Sequence, residues 1–154
     1  INKKKIEKII REQVSKYLII RLPQIVGKNY NKKTLTNFIR DKILQKKTFY
    51  LWKNSKRNLI DIDDIKIILS KYLRNNLKIN NTINIFNPSS IEVKKLIILF
   101  GKVLKKNPKI KVIRKNNKNI NFSRLPKSSI LPKLFYKSIK KKHYIKNLLL
   151  KYYK

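Results

Sequence analysis

Forty-one lysines and arginines stand against seven aspartates and glutamates in this 154-residue chain, a formal net charge of +34. A compact state of that charge repels itself. Folding must therefore bury enough apolar surface to offset the repulsion, and a polyanionic partner is the natural inference. The imbalance is uneven. All seven acids (Glu7, Glu12, Asp41, Asp61, Asp63, Asp64, Glu92) lie in the first 92 residues beside 21 bases, whereas residues 93–154 hold 20 bases and no acid. The second part is the better candidate for phosphate contact.

What the chain lacks excludes much chemistry. With no cysteine there is no disulfide, thiol nucleophile or thiolate metal site. One histidine cannot form the usual catalytic or zinc clusters, and two glycines leave little for phosphate-cradling loops. Lysine, isoleucine and asparagine number 34, 26 and 18, while alanine and methionine are absent. The favoured residues have codons written with A and T alone, which points to an AT-rich gene of the kind organelles carry. Codon bias does not account for the scarcity of acids. No apolar run approaches the ~20 residues of a membrane-spanning helix, and the first residues do not read as a signal peptide.

Hydrophobic periodicity predicts a helix over residues 3–21, stopped before Pro23, with Ile6, Ile9, Ile10, Val14, Tyr17 and Leu18 on one face. Residues 24–30 read as a loop. A second helix from Asn31 or Thr34 would bury Leu35, Phe38, Ile39 and Ile43. Residues 48–52 are β-prone, and 53–57 read as a basic loop. Asp61 or Asp63 would start a third helix carrying Ile65, Ile68, Leu69, Tyr72 and Leu73. Residues 77–86 read as a strand. Ser89 and Glu92 have the spacing of a capping box for a helix to about Lys106, and residues 109–113 alternate as a strand. Strand, helix and strand in succession suggest a βαβ unit. Residues 114–132 are basic and loop-like, and a last helix would run from about Lys133 to Tyr152. The expected fold class is α+β, mainly helical: a small mixed domain over 1–113, a basic extended loop over 114–132 and a basic C-terminal helix over 133–154.

The basic loops carry most of the functional signal. Lys53, Lys56 and Arg57; Lys105, Lys106, Lys109 and Lys111; Arg114, Lys115 and Lys118; Arg124 and Lys127; and Lys140, Lys141 and Lys142 are the expected RNA-binding residues. Lysine offers a phosphate a point charge, and arginine a bidentate grip or a stacking plane. Other constellations have plainer readings. Asp61, Asp63 and Asp64 are expected to cap a helix rather than hold a metal. His143 lacks a carboxylate partner and is not expected to be catalytic. Trp52 could stack on a base but is expected in the core. Gly27-Lys28-Asn29-Tyr30 is only weakly similar to the G-x-x-G clamp of KH domains, since a tyrosine takes the place of the second glycine.

In its Lys/Ile/Asn bias, its acid-free tail and loops such as Lys115-Asn116-Asn117-Lys118, the whole chain resembles the mitochondrially encoded ribosomal proteins of AT-rich protist genomes. That resemblance implies a structural, rRNA-binding constituent of a mitochondrial ribosome in the matrix, with rRNA and ribosomal proteins as partners. It implies no catalysis, cofactor, metal or small-molecule substrate. The alternative from composition is an organelle-encoded nucleic-acid-binding factor, such as a maturase-like or DNA-binding accessory protein.

Overall fold

The computed structural model describes residues 2–75, 79–113 and 143–154. It is an α+β fold dominated by helices, as expected. The elements in chain order are α1 (Lys3–Gln13), β1 (Leu18–Arg21), β2 (Gln24–Val26), α2 (Leu35–Leu44), β3 (Phe49–Trp52), β4 (Lys56–Arg57) and β5 (Leu59–Asp61). They continue with α3 (Ile62–Asn75), β6 (Asn81–Asn84), β7 (Ile91–Glu92), α4 (Val93–Leu104), β8 (Ile110–Ile113) and α5 (Tyr144–Tyr153).

The helix expected over 3–21 is two elements. It ends at Gln13, where Val14 turns extended, and Leu18–Arg21 is a strand parallel to β6 in the register Leu18↔Asn81 to Arg21↔Asn84. Leu18-Ile19-Ile20 is a continuous apolar run, the pattern of a parallel strand covered on both faces, and it also satisfies helical spacing. Residues 24–26 are a strand rather than part of a loop, parallel to β5.

The expected βαβ unit is absent. β6 pairs with β1, whereas β8 pairs in parallel with β3, so the two strands expected to form the unit with α4 lie in different sheets. The capping box also fails. Ser89 donates its N–H to Asn87 Oδ1 at 2.9 Å in an Asx turn, Ile91–Glu92 pairs antiparallel with β4, and α4 begins only at Val93.

Two apolar clusters hold the elements together. One gathers Ile39 and Ile43 of α2, Phe49 of β3, Leu96, Ile97 and Phe100 of α4, and Leu148, Leu149 and Tyr153 of α5. The other gathers Ile60, Ile65, Ile68, Tyr72, Ile83 and Ile85. β5 divides them: strand alternation sends Leu59 into the first and Ile60 into the second, both fully buried. The C-terminal helix is thus part of the core. Elsewhere the pattern departs from expectation, with Phe38 of α2, Leu73 of α3 and Trp52 of β3 all substantially exposed.

Candidate anion-binding cleft

β2 ends at Val26, and Gly27 just beyond it lies against the start of α3. A Cβ there would sit 2.8 Å from Ile62 Cγ2, so glycine is needed for close packing of loop on helix. Beyond it, asparagines shape the chain to Thr34. Asn29 Nδ2 donates to Gly27 O at 3.0 Å, Asn31 N–H to Asn29 Oδ1 at 3.1 Å, and Lys33 N–H to Asn31 Oδ1 at 2.9 Å. Buried Asn37 binds this loop from α2, donating to Asn29 O and Asn31 O, and its Oδ1 accepts from Tyr153 OH at 2.9 Å.

Thr34 is the residue before α2, but its hydroxyl donates backwards to Asn31 O at 3.0 Å and makes no cap bond. The first intrahelical bond is Phe38 N–H to Thr34 O. The amides of Leu35, Thr36 and Asn37 therefore have neither an intrahelical acceptor nor a side-chain cap. A cleft of about 230 Å³ adjoins this helix start, lined by Gln24, Ile25 and Val26 of β2, Leu59 of β5, and Lys33, Thr34, Leu35 and Thr36. No acid lines it. The helix dipole, open amides and the Lys33 ammonium favour an anion, while Val26, Leu35 and Leu59 offer an apolar wall to whatever carries the charge.

Behind β5 the acids are already engaged. Asp61 Oδ1 accepts from Asp63 N–H at 3.0 Å, the expected cap, and from Tyr152 OH at 2.7 Å. Lys151 Nζ bridges Asp61 Oδ2 and Asp63 Oδ2 at 2.7 and 2.6 Å. Tyr144 OH donates to Asp64 Oδ2 at 2.6 Å and accepts from Asp61 N–H. The hydrogen bond from Lys151 pulls the Asp63 carboxyl below its ordinary range, and the two carboxylates raise Lys151. Burial and Asp61 push the Tyr152 phenol up to about 12.

Among the described residues, the expected RNA-binding residues lie on several elements. Lys53 and Lys109 mark opposite ends of the β3–β8 pair, through Lys53 N–H to Ile113 O and Phe49 N–H to Lys109 O. Lys56 stands across from Glu92 in the β4–β7 register, beside Arg57. Lys105 and Lys106 form the turn that ends α4. Lys105 is left-handed at φ 52°, and Lys106 N–H returns to Gly101 O, with both cations at the negative end of the helix dipole. Lys111 is exposed in β8 opposite Tyr50. Arg114, Lys115, Lys118, Arg124, Lys127, Lys140, Lys141 and Lys142 lie outside the described residues. His143 is exposed, next to α5.

Trp52 is 57% exposed rather than in the core, because Phe49 and Leu51 take the inward positions of β3. It lines a second, larger cleft of about 430 Å³ with Lys53, Ser55, Glu92 and Lys94. The Glu92 carboxylate in that cleft pairs with Lys95 at 3.5 Å, which makes it less suited to an anion.

No known family and no curated protein matches the sequence. Solved structures do share the fold. UDP-N-acetylglucosamine 4-epimerase from Methanobrevibacter ruminantium M1, in complex with UDP-N-acetylmuramic acid, superposes at a TM-score of 0.63 and 15% identity over 96% of this chain and 48% of that one. A dTDP-glucose 4,6-dehydratase from Bacillus anthracis in complex with NAD gives 0.58 and 12% over 87% and 44%. UDP-glucose 4-epimerase from Thermotoga maritima with UDP-glucose gives 0.52 and 20% over 73% and 38%. The chain thus spans less than half the length of these structures.

This likeness overturns the ribosomal reading. The fold is shared with epimerases and dehydratases that bind NAD and nucleotide sugars, rather than with ribosomal or RNA-binding proteins. The expectation of rRNA partners and of no small-molecule substrate falls with it. Among the described residues no helix is long and apolar enough to cross a membrane.

Gln24 and Thr36 carry no functional signal in the sequence, and Thr34 reads there only as a helix start. A site of backbone amides leaves no side-chain signature. The signal the sequence does carry is a Gly-containing loop leading from an apolar run into a helix start.

Proposed function

We propose that the chain is the nucleotide-sugar-binding part of an enzyme of the epimerase/dehydratase type. In this reading the cleft between β2, β5 and the start of α2 receives the nucleoside diphosphate. The observation that carries the reading is the coincidence of the fold with an acid-free cleft at an uncapped helix start. The amides of Leu35 to Asn37 would bind phosphate oxygens and Lys33 would balance their charge, while the apolar wall would seat the uncharged part of the ligand. Fold analogy alone does not fix the sugar or the reaction.

The dinucleotide of the similar enzymes does not fit the residues present here. A Gly-rich phosphate turn needs three closely spaced glycines, and this chain has Gly27 and Gly101 only. Gly27 is filled against Ile62, and a Cβ on Gly101 would come within 2.7 Å of Lys106 O and Pro108 Cδ. No step is assigned to NAD on this chain.

Titration calorimetry of the protein with UDP-glucose and dTDP-glucose tests the reading. Binding should be weakened roughly tenfold by Lys33→Ala, in line with the loss of one charge-assisted contact. Absence of binding to either compound, or affinity unchanged by Lys33→Ala, contradicts it.

A further inference from the structure

We propose that Tyr153 of α5 is a positioning residue for the cleft: through Asn37 its hydroxyl fixes the loop that presents Lys33, so docking of α5 and binding in the cleft are linked. The inference rests on the functional reading above and deepens it.

Lys33 and Thr34 are carried to the cleft by residues 27–34, which are neither helix nor strand. Such a segment keeps one shape only where bonds from outside it hold it. Here those bonds converge on one side chain. The two Nδ2 protons of Asn37 are shared among Asn29 O at 3.1 Å, Asn29 Oδ1 at 3.0 Å and Asn31 O at 3.0 Å. Asn31 O also accepts from Thr34 N–H at 3.1 Å, and Asn31 Oδ1 accepts from Lys33 N–H at 2.9 Å. The Asn37 amide is thus joined to the backbone of Lys33 through a single intervening residue.

The direction of that amide matters. A carboxamide has one accepting end and one donating end, and all three loop partners are oxygens. Only the orientation with Nδ2 toward the loop can hold it; the reverse would set Oδ1 against three acceptors. Tyr153 secures this orientation from behind, its hydroxyl donating to Asn37 Oδ1 at 2.9 Å with both residues buried. Burial raises the phenol above its ordinary value, so it stays protonated and able to donate through neutral pH.

The phenol is itself held in place. Its ring meets Phe100 edge-on at 5.0 Å and 65°, and the Arg40 guanidinium lies 6.0 Å from its centre. In the same turn of α5, Lys151 Nζ and Tyr152 OH bind Asp61 instead. Anchoring the helix and reaching the cleft therefore fall on neighbouring residues, which lets mutation separate them.

Two hydroxyl deletions in the full chain test this, read by titration calorimetry with UDP-glucose and by amide hydrogen exchange. Tyr153→Phe keeps the ring against Phe100. It should weaken UDP-glucose binding about fivefold, the size of one lost hydrogen bond, and speed exchange at Lys33 and Thr34 by a similar factor. Tyr152→Phe, which loosens α5 at Asp61, should leave both readings unchanged. By reciprocity, bound UDP-glucose should slow exchange in the last turn of α5 in the unaltered chain, a reading that needs no variant. Equal effects of the two variants would make the Tyr153 hydroxyl merely structural and overturn the proposal. So would loop exchange unmoved by Tyr153→Phe, or α5 exchange unmoved by bound UDP-glucose. Failure of the unaltered chain to bind UDP-glucose, with loop exchange still speeded by Tyr153→Phe, would instead count against the functional reading alone.

Discussion

Lys151 Nζ lies 2.7 Å from Asp61 Oδ2, joining the last turn of the chain to the end of β5 across 90 residues of sequence. The contact fixes α5, whose Leu148, Leu149 and Tyr153 complete the larger apolar cluster and whose Tyr153 hydroxyl holds Asn37 beneath the cleft. The acids that looked like a helix cap are therefore also the anchor of a distant element.

Replacing that lysine tests the anchor. The Asp61 side chain is 12% exposed and that of Lys151 43%. Lys151→Met should lower unfolding free energy by about 1–2 kcal/mol, below the full cost of breaking a buried pair because solvent screens the ammonium. Urea denaturation measures it. A change under about 0.5 kcal/mol, the range of ordinary surface substitutions, contradicts the role.

The same contacts set a pH dependence. The Asp63 and Glu7 carboxyls are lowered in the folded state, by Lys151 and Arg21 respectively. Their contribution is present above the unfolded carboxylate range and is lost as pH falls through the lowered values. Lys151 is raised, so its contribution is complete below the ordinary lysine value and is lost only as pH rises through the folded one. Melting temperature should fall below about pH 4 and hold from about pH 5 to 9. In Lys151→Met the acid-side fall should be shallower; an identical acid limb contradicts the assignment.

Gly27 separates packing from nucleic-acid clamping. Gly27→Ala should destabilise by about 1–3 kcal/mol through the Ile62 contact. Combined with Ile62→Ala it should show non-additivity of more than about 0.5 kcal/mol in a double-mutant cycle. Strict additivity contradicts the close-packing account.

Trp52 is the sole tryptophan and reports on its own surroundings. At 57% exposure it should fluoresce as a solvated indole, be readily quenched by acrylamide, and shift little when a ligand enters the β2–β5 cleft. Trp52→Ala should change stability by no more than about 0.5 kcal/mol. A blue-shifted, unquenched emission places it in the core instead.

The elements legible in the sequence are those whose burial follows one period. α3 buries Ile65, Ile68 and Tyr72, and α4 buries Leu96, Ile97 and Phe100, on the expected faces. β3 and β8 were readable from their β-prone alternation. β1 was not, because Leu18-Ile19-Ile20 satisfies helix and buried strand alike and only pairing with Asn81–Asn84 decides between them. Such pairings across some 60 residues are absent from any local window, and the expected βαβ unit failed for the same reason. The cleft was hidden more thoroughly. Its donors are backbone amides, and Lys33 is one lysine among 34.

The central claim, that the start of α2 holds the diphosphate of a nucleotide sugar, is met most directly by amide hydrogen exchange with and without saturating UDP-glucose. The account predicts slowed exchange at Leu35, Thr36 and Asn37, with Lys111 and Ile113 of β8 unchanged and the effect lost in Lys33→Ala. Equal exchange at the three α2 amides with and without the ligand, or slowing confined to the lysine-rich turn after α4, would contradict it.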